Sequence, residues 1–268
     1  MILPKISVVI PNYNSEKFIS YTLECILNQT FKDFELIISD DGSTDDSLRI
    51  IEAYQQKDSR ISIIRSEHTG NLARVLNTGY SQARGDYLCQ VDADDIIRED
   101  CLELCYNFIT ANNPDGMIYT NHTIINKDGK HLGAGNRCRL PYDKNTILLN
   151  FMVFHFRLFS KQLFEKIGRY DESFARVEDY DLCLRISEVS DIKYLDEILY
   201  YYRLHCGQVT QKQSVEIIEY SFKAISNAMK RRGLDQKYKL VCQKVKSSGI
   251  YAGKFGFMKK GGIIITRF

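Results

Sequence analysis

The chain has 268 residues, 44% of them hydrophobic and 26% charged, and a formal net charge of +2. This is the composition of an ordinary soluble globular protein, with length for one large domain or a domain with a C-terminal appendage. Eight cysteines without a Cys-x-x-Cys pair argue against a zinc site and a disulfide framework. The N-terminus has no basic segment followed by an apolar run, so we expect no signal peptide and a cytoplasmic location.

The charge is distributed unevenly along the chain. Residues 230–268 hold eleven Lys or Arg against the single acid Asp235, so this tail carries about +10 and the remainder about −8. Lys alternates there with Tyr, Val, Phe and Ile, a pattern that suits an anionic membrane surface better than a solvated arm. A surface helix that is merely basic is the alternative. We expect peripheral association with the inner face of the cell membrane, and no nucleic-acid partner.

Strands and helices alternate four times in the first half of the chain. The predicted strands cover residues 5–10, 34–39, 61–64 and 87–91. The helices that follow them cover about residues 15–29, 47–56, 71–83 and 96–112. Ser15 is the predicted cap of the first helix, and Gly79 is expected to break the third. This alternation predicts an α/β fold with a doubly wound, mostly parallel sheet.

The rhythm changes after Asn112. A strand over residues 116–125 is predicted to enter a hairpin turn, and the apolar run 147–159 is too short for a membrane span and indicates buried core. Further elements are a helix over residues 178–190, a Tyr-rich strand over 193–204 and a long helix over 214–246. We therefore expect one domain over residues 1–210 and a basic helical C-terminal extension over residues 211–268.

Three carboxylates directly follow the fourth predicted strand, as Asp92, Asp94 and Asp95. Carboxylates this close repel one another unless a cation or hydrogen-bond donors compensate, which argues for a divalent metal. In an open α/β sheet the ligand crevice lies beyond the carboxyl ends of the strands, where these residues would sit. The alternative is a helix start, with Asp94 or Asp95 capping the segment that follows.

Acidic residues also follow the second strand, as Asp40 and Asp41, and begin a later helix, as Glu178 and Asp179. With these three turns in this order, the chain resembles the inverting glycosyltransferases of family 2, of the GT-A type, over about residues 5–210. The matching segments are residues 7–14, 28–30, 40–45, Asn77-x-Gly79, 83–86, 92–95, 168–171, Phe174, Glu178-Asp179, Arg185 and Tyr202-Arg203-x-His205.

The resemblance implies a nucleoside diphosphate sugar as the donor. Pro11, Tyr13 and Asp41 would line the pocket for its base and ribose; a ring stacked on the base and a carboxylate on its imide would suit uracil. Asp92 would bind the ribose or the sugar. For Asp41 the alternative is a turn role within its Asp-Gly pair.

The resemblance also implies Mg²⁺ or Mn²⁺ as a cofactor. Asp94 would ligate the ion, and His205 would be the C-terminal contact to the metal or the diphosphate. The cation neutralises charge that builds on the leaving diphosphate. Asp95 is a further metal candidate with a second duty as a helix cap, and Arg203 is a supporting residue of the His205 motif. A structural role is the alternative for His205.

Asp179 would be the catalytic base. Inverting transfer needs one carboxylate to take the proton from an acceptor hydroxyl while that oxygen attacks the anomeric carbon opposite the leaving diphosphate. Glu178 and Arg185 would support it, with Arg185 holding the acidic pair in place or serving only as surface charge. The alternative is a capping pair at the helix N-terminus.

The implied function is metal-dependent transfer of a sugar, from a UDP-sugar or another nucleotide sugar, to a saccharide or lipid-linked acceptor in surface polysaccharide biosynthesis. A nucleotidyltransferase is one alternative, and it would carry a Gly-rich basic loop where this chain has residues 11–15. The other is a non-catalytic protein that binds sugar nucleotides, and it would lack Asp179 or the metal ligands. Asn71 departs from the family pattern, which often has Gly there, so a nucleotide contact near Arg74 stays open.

Overall fold

The computed structural model describes residues 3–205, 214–247 and 250–259. Within these ranges the strands are β1 (Ile6–Asn12), β2 (Phe34–Asp40), β3 (Ile61–Arg65), β4 (Tyr87–Gln90), β5 (Ile96–Ile97), β6 (Met117–Asn126), β7 (His131–Ala134), β8 (Arg157–Ser160), β9 (Ile192–Leu204), β10 (Tyr238–Ser247) and β11 (Ile250–Lys259). The helices are α1 (Ile19–Leu27), α2 (Ser47–Gln55), α3 (Leu72–Ser81), α4 (Cys101–Asn112), α5 (Lys161–Lys166), α6 (Glu178–Val189) and α7 (Ser214–Arg231).

Nine strands form one sheet in the order β3-β2-β1-β4-β8-β6-β9-β5, with β7 beside β6. The pairs β1–β2, β1–β4, β2–β3 and β6–β9 are parallel. Strand β8 runs antiparallel to both β4 and β6, which flank it. The predicted α/β class with a mostly parallel sheet is confirmed. Because β1, β2 and β4 are parallel neighbours, their carboxyl ends meet at one edge of the sheet.

Helices cover both faces of this sheet. Alternate residues of β1 face opposite sides, so Val9 packs in one core cluster with Leu76 of α3, while Ile10 packs in another with Leu23 of α1. Strand β2 is buried along its whole length for the same reason. The apolar run 147–159 lies mainly in the core, as predicted.

Two predicted helix starts are wrong. Helix α1 begins at Ile19, because the Ser15 hydroxyl donates to the Asn12 side chain, and the helix has no side-chain cap. Helix α4 begins at Cys101, because residues 96–97 instead form β5, which pairs with β9. Neither Asp94 nor Asp95 therefore caps a helix, and that alternative is excluded.

Helix α3 runs unbroken through Gly79, contrary to the expected break. The Asn71 side chain accepts a hydrogen bond from the Arg74 backbone N–H and caps the helix. A β-carbon on Gly79 would lie 2.6 Å from Val9 Cγ1, so the missing side chain permits close packing of the helix against β1. Asn77 hydrogen-bonds the backbone N–H and carbonyl of Tyr170, and so joins two of the motif segments.

The C-terminal extension is helical only in part. Helix α7 ends at Arg231, and Gly233 follows with a φ of 64°, a common way to stop a helix. The predicted helix beyond it is wrong, because β10 and β11 form an antiparallel hairpin. Basic and apolar residues alternate at both ends of β10, around the apolar run of residues 240–242, a pattern that is compatible with a strand.

Helix α7 is packed against the body of the protein. Ile225 and Ala228 are fully buried in the core cluster that also contains Ile186 of α6. Both Arg231 and Arg232 approach Glu188 of α6, at 2.7 and 3.5 Å. In the described ranges, no helix combines the length and apolar character needed to cross a membrane.

Candidate active site

The candidate site lies at the sheet edge where β1, β2 and β4 end. The turn after β2 begins with Asp40, whose carboxylate accepts hydrogen bonds from the Asn12 side chain at 2.6 Å and from the Ser43 backbone N–H at 3.0 Å. Asp40 is 1% exposed, so it ties β1 to this turn. The neighbouring Asp41 is directed elsewhere.

Asp41 and Tyr13, two predicted donor residues, are joined by His68. The Asp41 carboxylate accepts from the Thr69 backbone N–H and hydroxyl, at 2.9 and 2.8 Å, and from the Gly70 backbone N–H at 2.9 Å. His68 Nδ1 lies 3.0 Å from Asp41 Oδ2. The His68 ring stacks on Tyr13, with centroids 4.0 Å apart and an interplanar angle of 18°. Sequence reasoning missed His68.

Pro11 and Asp92 lie near this pocket on adjacent strand ends. Pro11 pairs with Ser39 of β2, and Asp92 follows β4. The Gln90 amide donates to Asp92 Oδ1 at 2.6 Å, and His155 Nε2 lies 3.6 Å from Asp92 Oδ2. Burial, followed by the nearby Asp94 carboxylate, raises the pKa of Asp92 to about 6.

Asp94 and His205, the predicted metal residues, are adjacent. His205 Nε2 lies 2.7 Å from Asp94 Oδ2, and both side chains are partly exposed. Mg²⁺ is bound by one or two carboxylates together with substrate phosphates and waters, so this pair fits an ion that the diphosphate of a donor would complete. Among the residues that the structure describes, no group of three or more His, Cys, Asp or Glu could hold a metal by itself.

The Asp95 carboxylate is bound by donors of β9 and is not available to a metal ion. It is fully buried, so its oxygens are inaccessible to an ion, and burial raises its pKa well above the usual range. The Tyr200 hydroxyl and the Arg203 backbone N–H each donate to its carboxylate at 2.7 Å. Arg203 Nε donates to the Asp94 carbonyl at 2.6 Å. Together, Asp95 and Arg203 attach the acidic turn to β9.

Asp179 lies at the start of α6, in a buried ion pair that the sequence did not indicate. Arg157 Nη1 donates to Asp179 Oδ2 at 2.9 Å, and the Tyr180 backbone N–H donates to Oδ1 at 2.7 Å. The Arg157 side chain is only 5% exposed, whereas that of Asp179 is 22% exposed. The buried guanidinium therefore fixes the position of a carboxylate that stays partly open to solvent.

Arg185 does not hold the acidic pair. Its guanidinium donates to Asp181 Oδ2 at 2.7 Å and to the Ile167 carbonyl at 2.8 Å. Positions four apart share a helix face, whereas residues 179 and 185 lie on different faces. Arg157 takes the place that Arg185 was expected to fill.

Glu178 is more deeply buried than Asp179. Its burial, followed by the adjacent Asp179 carboxylate, raises the pKa of Glu178 to about 8. Glu178 is therefore largely protonated at neutral pH. Of the two acids, Asp179 has the more exposed side chain.

The solved structures with a similar fold include complexes with nucleotide sugars, two of which are described next. Staphylococcus aureus TarS 1-349 in complex with UDP-GlcNAc superposes with a TM-score of 0.71 at 22% identity, over 84% of this chain and 66% of that one. Mannosyltransferase PcManGT from Pyrobaculum calidifontis, in complex with GDP-Man and Mn²⁺, has a TM-score of 0.67 at 16% identity, over 86% and 65%. At these identities the likeness establishes the fold alone, which is the GT-A fold.

The sequence relatives identify the family. The chain is 32% identical over 238 residues to chondroitin synthase of Escherichia coli, covering 88% of this chain and 34% of that protein. It is 30% identical over 254 residues to glycosyltransferase GlyG of Streptococcus pneumoniae, covering 86% and 82%. It spans only 24% of hyaluronan synthase of Pasteurella multocida, at 29% identity over 232 residues and 87% of this chain.

Fold and site thus define a GT-A domain. At one edge of its sheet lie a tyrosine ring beside a carboxylate, an adjacent Asp–His pair and a carboxylate paired with a buried arginine. The family described as glycosyl transferase family 2 matches residues 7–168, more than half of the chain. The protein belongs to this family, as its motifs indicated.

Replacing Glu178 with Gln tests its protonation. Between pH 4.5 and about 8, the folded protein holds a proton that the unfolded chain releases, so stability falls as pH rises through this window. Glu178→Gln is neutral at every pH. The variant should match the wild type near pH 4.5 and exceed its free energy of unfolding by on the order of 2–4 kcal/mol at pH 8. Urea denaturation at both pH values measures this difference.

The exposed Glu219 provides the matched control. The difference in free energy of unfolding between Glu219→Gln and the wild type should not grow as the pH rises. A Glu178→Gln protein whose stability relative to the wild type is the same at pH 4.5 and pH 8 would contradict the raised pKa.

Proposed function

We propose that this protein is a metal-dependent inverting glycosyltransferase that moves one sugar from a UDP-sugar to a saccharide acceptor. The observation that carries the proposal is the pairing of Asp179 with the buried Arg157, which holds one partly exposed carboxylate at the rim of the site. A binding protein has no need of such a base. The donor pocket and the metal-compatible pair lie along the same sheet edge.

The donor would bind across the ends of β1, β2 and β4. Tyr13 offers a ring face for the base and Asp41 a carboxylate for its imide N–H, while Pro11 borders the pocket. Asp92 lies further along the edge, where it would accept hydrogen bonds from the hydroxyls of the ribose or the sugar. The UDP-GlcNAc complex of the similarly folded TarS supports uridine as the nucleoside.

Asp94 and His205 would hold Mg²⁺ or Mn²⁺ together with the diphosphate. A bound ion supplies Lewis-acid neutralisation of the leaving diphosphate. Asp95 and Arg203 keep the turn that carries Asp94 fixed to β9, so its carboxylate is positioned before the donor arrives. The Mn²⁺ in the PcManGT complex supports this assignment.

Asp179 would take the proton from the acceptor hydroxyl as the hydroxyl oxygen attacks the anomeric carbon. Attack from the face opposite the diphosphate inverts the configuration at that carbon, and the diphosphate leaves as an anion. Arg157 stays paired with Asp179 Oδ2 and orients it. The protonated Glu178 adds no further negative charge beside the base.

We infer that the acceptor is a saccharide chain of a surface polysaccharide, either free or lipid-linked. The names of the related chondroitin and hyaluronan synthases support a polysaccharide product. The excess of basic residues in residues 230–268 supports a lipid-linked acceptor and contact with anionic headgroups.

Asp179→Asn tests the base. The amide keeps the size of the side chain but accepts no proton, so sugar transfer should fall by about 10²–10⁴-fold while UDP binding changes little. The assay is UDP release from UDP-GlcNAc with chondroitin or hyaluronan oligosaccharides, alongside calorimetric titration with UDP. The exposed Asp128→Asn serves as the control and should retain full activity. Transfer by Asp179→Asn within tenfold of the wild type would show that another group is the base.

Removal of the metal tests the Asp94–His205 pair. EDTA should stop transfer, and Mn²⁺ or Mg²⁺ should restore it. Calorimetry with UDP present should show Mn²⁺ binding to the wild type and a loss of at least about tenfold in Asp94→Asn, since metal sites lose about 10- to 100-fold when even supporting groups are removed. A chelator-resistant enzyme, or unchanged Mn²⁺ affinity in this variant, would remove the metal role.

Charge reversal in the extension tests contact with a membrane. Lys237 and Lys239 are exposed beside and within β10, and each basic residue near an anionic surface contributes about 1 kcal/mol. The double change to Glu should weaken sedimentation with phosphatidylglycerol vesicles by at least about tenfold. The same change at the exposed Lys57 and Lys130 is the control. Equal binding by the Lys237/Lys239 variant and the wild type would exclude this surface.

A further inference from the structure

A side chain of the protein itself occupies the aromatic face of the proposed base pocket. The His68 ring lies nearly parallel to Tyr13, with centroids 4.0 Å apart. The Nδ1 of the same ring is 2.9 Å from the Asp41 backbone carbonyl, to which it hydrogen-bonds, and 3.0 Å from Asp41 Oδ2. A flat ring on Tyr13 that presents a nitrogen to Asp41 is also the arrangement proposed for uracil, whose imide N–H would meet that carboxylate.

The Asp41 carboxylate has little capacity for a further donor. Its two oxygens offer about four lone-pair positions. Three are taken by the Thr69 backbone N–H, the Thr69 hydroxyl and the Gly70 backbone N–H, and the fourth faces His68 Nδ1. A base that donates to Asp41 therefore has to displace one of these groups.

His68 is the group that can leave. Its side chain is 47% exposed, whereas the other three donors belong to a loop that folds around Asp41. Its backbone passes close to Gly42, where a β-carbon would lie 2.7 Å from the His68 nitrogen. Rotation of the imidazole away from Tyr13 would open the pocket without moving the loop.

We propose that His68 holds the place of the nucleobase in the empty donor pocket and swings out when the base binds. This inference rests on the proposed function, because it presumes that Tyr13 and Asp41 form the base pocket. It also makes His68 a determinant of donor selectivity. The incoming base has to present both a ring face and an N–H to replace those of the imidazole. Uracil has such an imide N–H, whereas cytosine has an unprotonated ring nitrogen at the same position.

Calorimetric titration of the whole protein with UDP, in the presence of Mg²⁺, tests the proposal. A closed pocket lowers apparent affinity by the fraction of molecules that are open, so a pocket open about 10% of the time loses about tenfold. His68→Ala removes the competing ring and should bind UDP about 3- to 10-fold more tightly than the wild type. Equal or weaker binding by His68→Ala would overturn the displacement.

His131→Ala is the matched control, because His131 also contacts a tyrosine ring, with its centroid 5.5 Å from that of Tyr201 on β9. It should bind UDP as the wild type does. CDP should bind the wild type at least about tenfold more weakly than UDP, since a site built for a donor rejects a base that lacks it. Equal affinity for UDP and CDP would overturn the N–H replacement.

A second measurement follows the ring directly. In protein carrying ¹³C-labelled histidine, the His68 ring signal is assigned by its disappearance in His68→Ala and should be displaced by the Tyr13 ring current. UDP should move this signal towards that of a solvated imidazole. If the His68 signal does not shift while UDP binds, the proposed movement of His68 is wrong, but the donor pocket still stands. Failure of both the wild type and His68→Ala to bind any nucleoside diphosphate would overturn the donor pocket, and the inference with it.

Discussion

The ion pair between Arg157 and Asp179 depends on how β8 enters the sheet. This strand lies between β4 and β6 and runs against both, so its first residue, Arg157, lies at the edge where β4 ends. Helix α6 begins at that edge and supplies Asp179. Breaking a buried pair by removing one partner typically costs 3–5 kcal/mol, because the other charge stays buried. The sheet topology thus fixes the Asp179 carboxylate in a single arrangement.

Three further acids of the site are affected by burial. Burial raises the pKa values of Asp92, Asp95 and Glu178, so these three are wholly or partly protonated near neutral pH. The pKa values of about 6 for Asp92 and about 8 for Glu178 mean that both carry less negative charge near neutral pH than ordinary carboxylates do. This limits repulsion of a diphosphate that carries charge of its own.

The sequence predicted the elements and site residues that depend on local periodicity and on short motifs. The buried strands and the acid turns at their ends placed Asp41 and Asp94 on one edge, because parallel neighbours end together. The matched motif added His205, which lies 111 positions from Asp94 and directly beside it.

The features that sequence did not predict depend on contacts between distant segments. Arg157 was interpreted as part of an apolar run, although an arginine in such a run is costly to bury without a partner and was in that sense a signal. Helix α4 begins at Cys101 and not at residue 96, because residues 96–97 pair with β9. Nothing in the neighbouring sequence indicates this pairing. The sequence after Arg231 does not predict the hairpin, because a segment rich in Lys and apolar residues is compatible with a helix as well as with a strand.

His68 and Arg157 each pair a nitrogen with an aspartate, and their exposure separates what the two pairs can do. The hydrogen bond from the half-exposed His68 contributes on the order of 0.5–1.5 kcal/mol, because water can take its place. Stacking of a base on Tyr13 offers a similar amount, about 0.5–1.5 kcal/mol, and an imide N–H restores the bond to Asp41. A ligand can therefore displace His68. It cannot displace Arg157, whose 5% exposure makes an unpaired state several kcal/mol less stable. The contact of His68 with Asp41 can thus be exchanged for a contact with a ligand, whereas the ion pair of Arg157 with Asp179 persists.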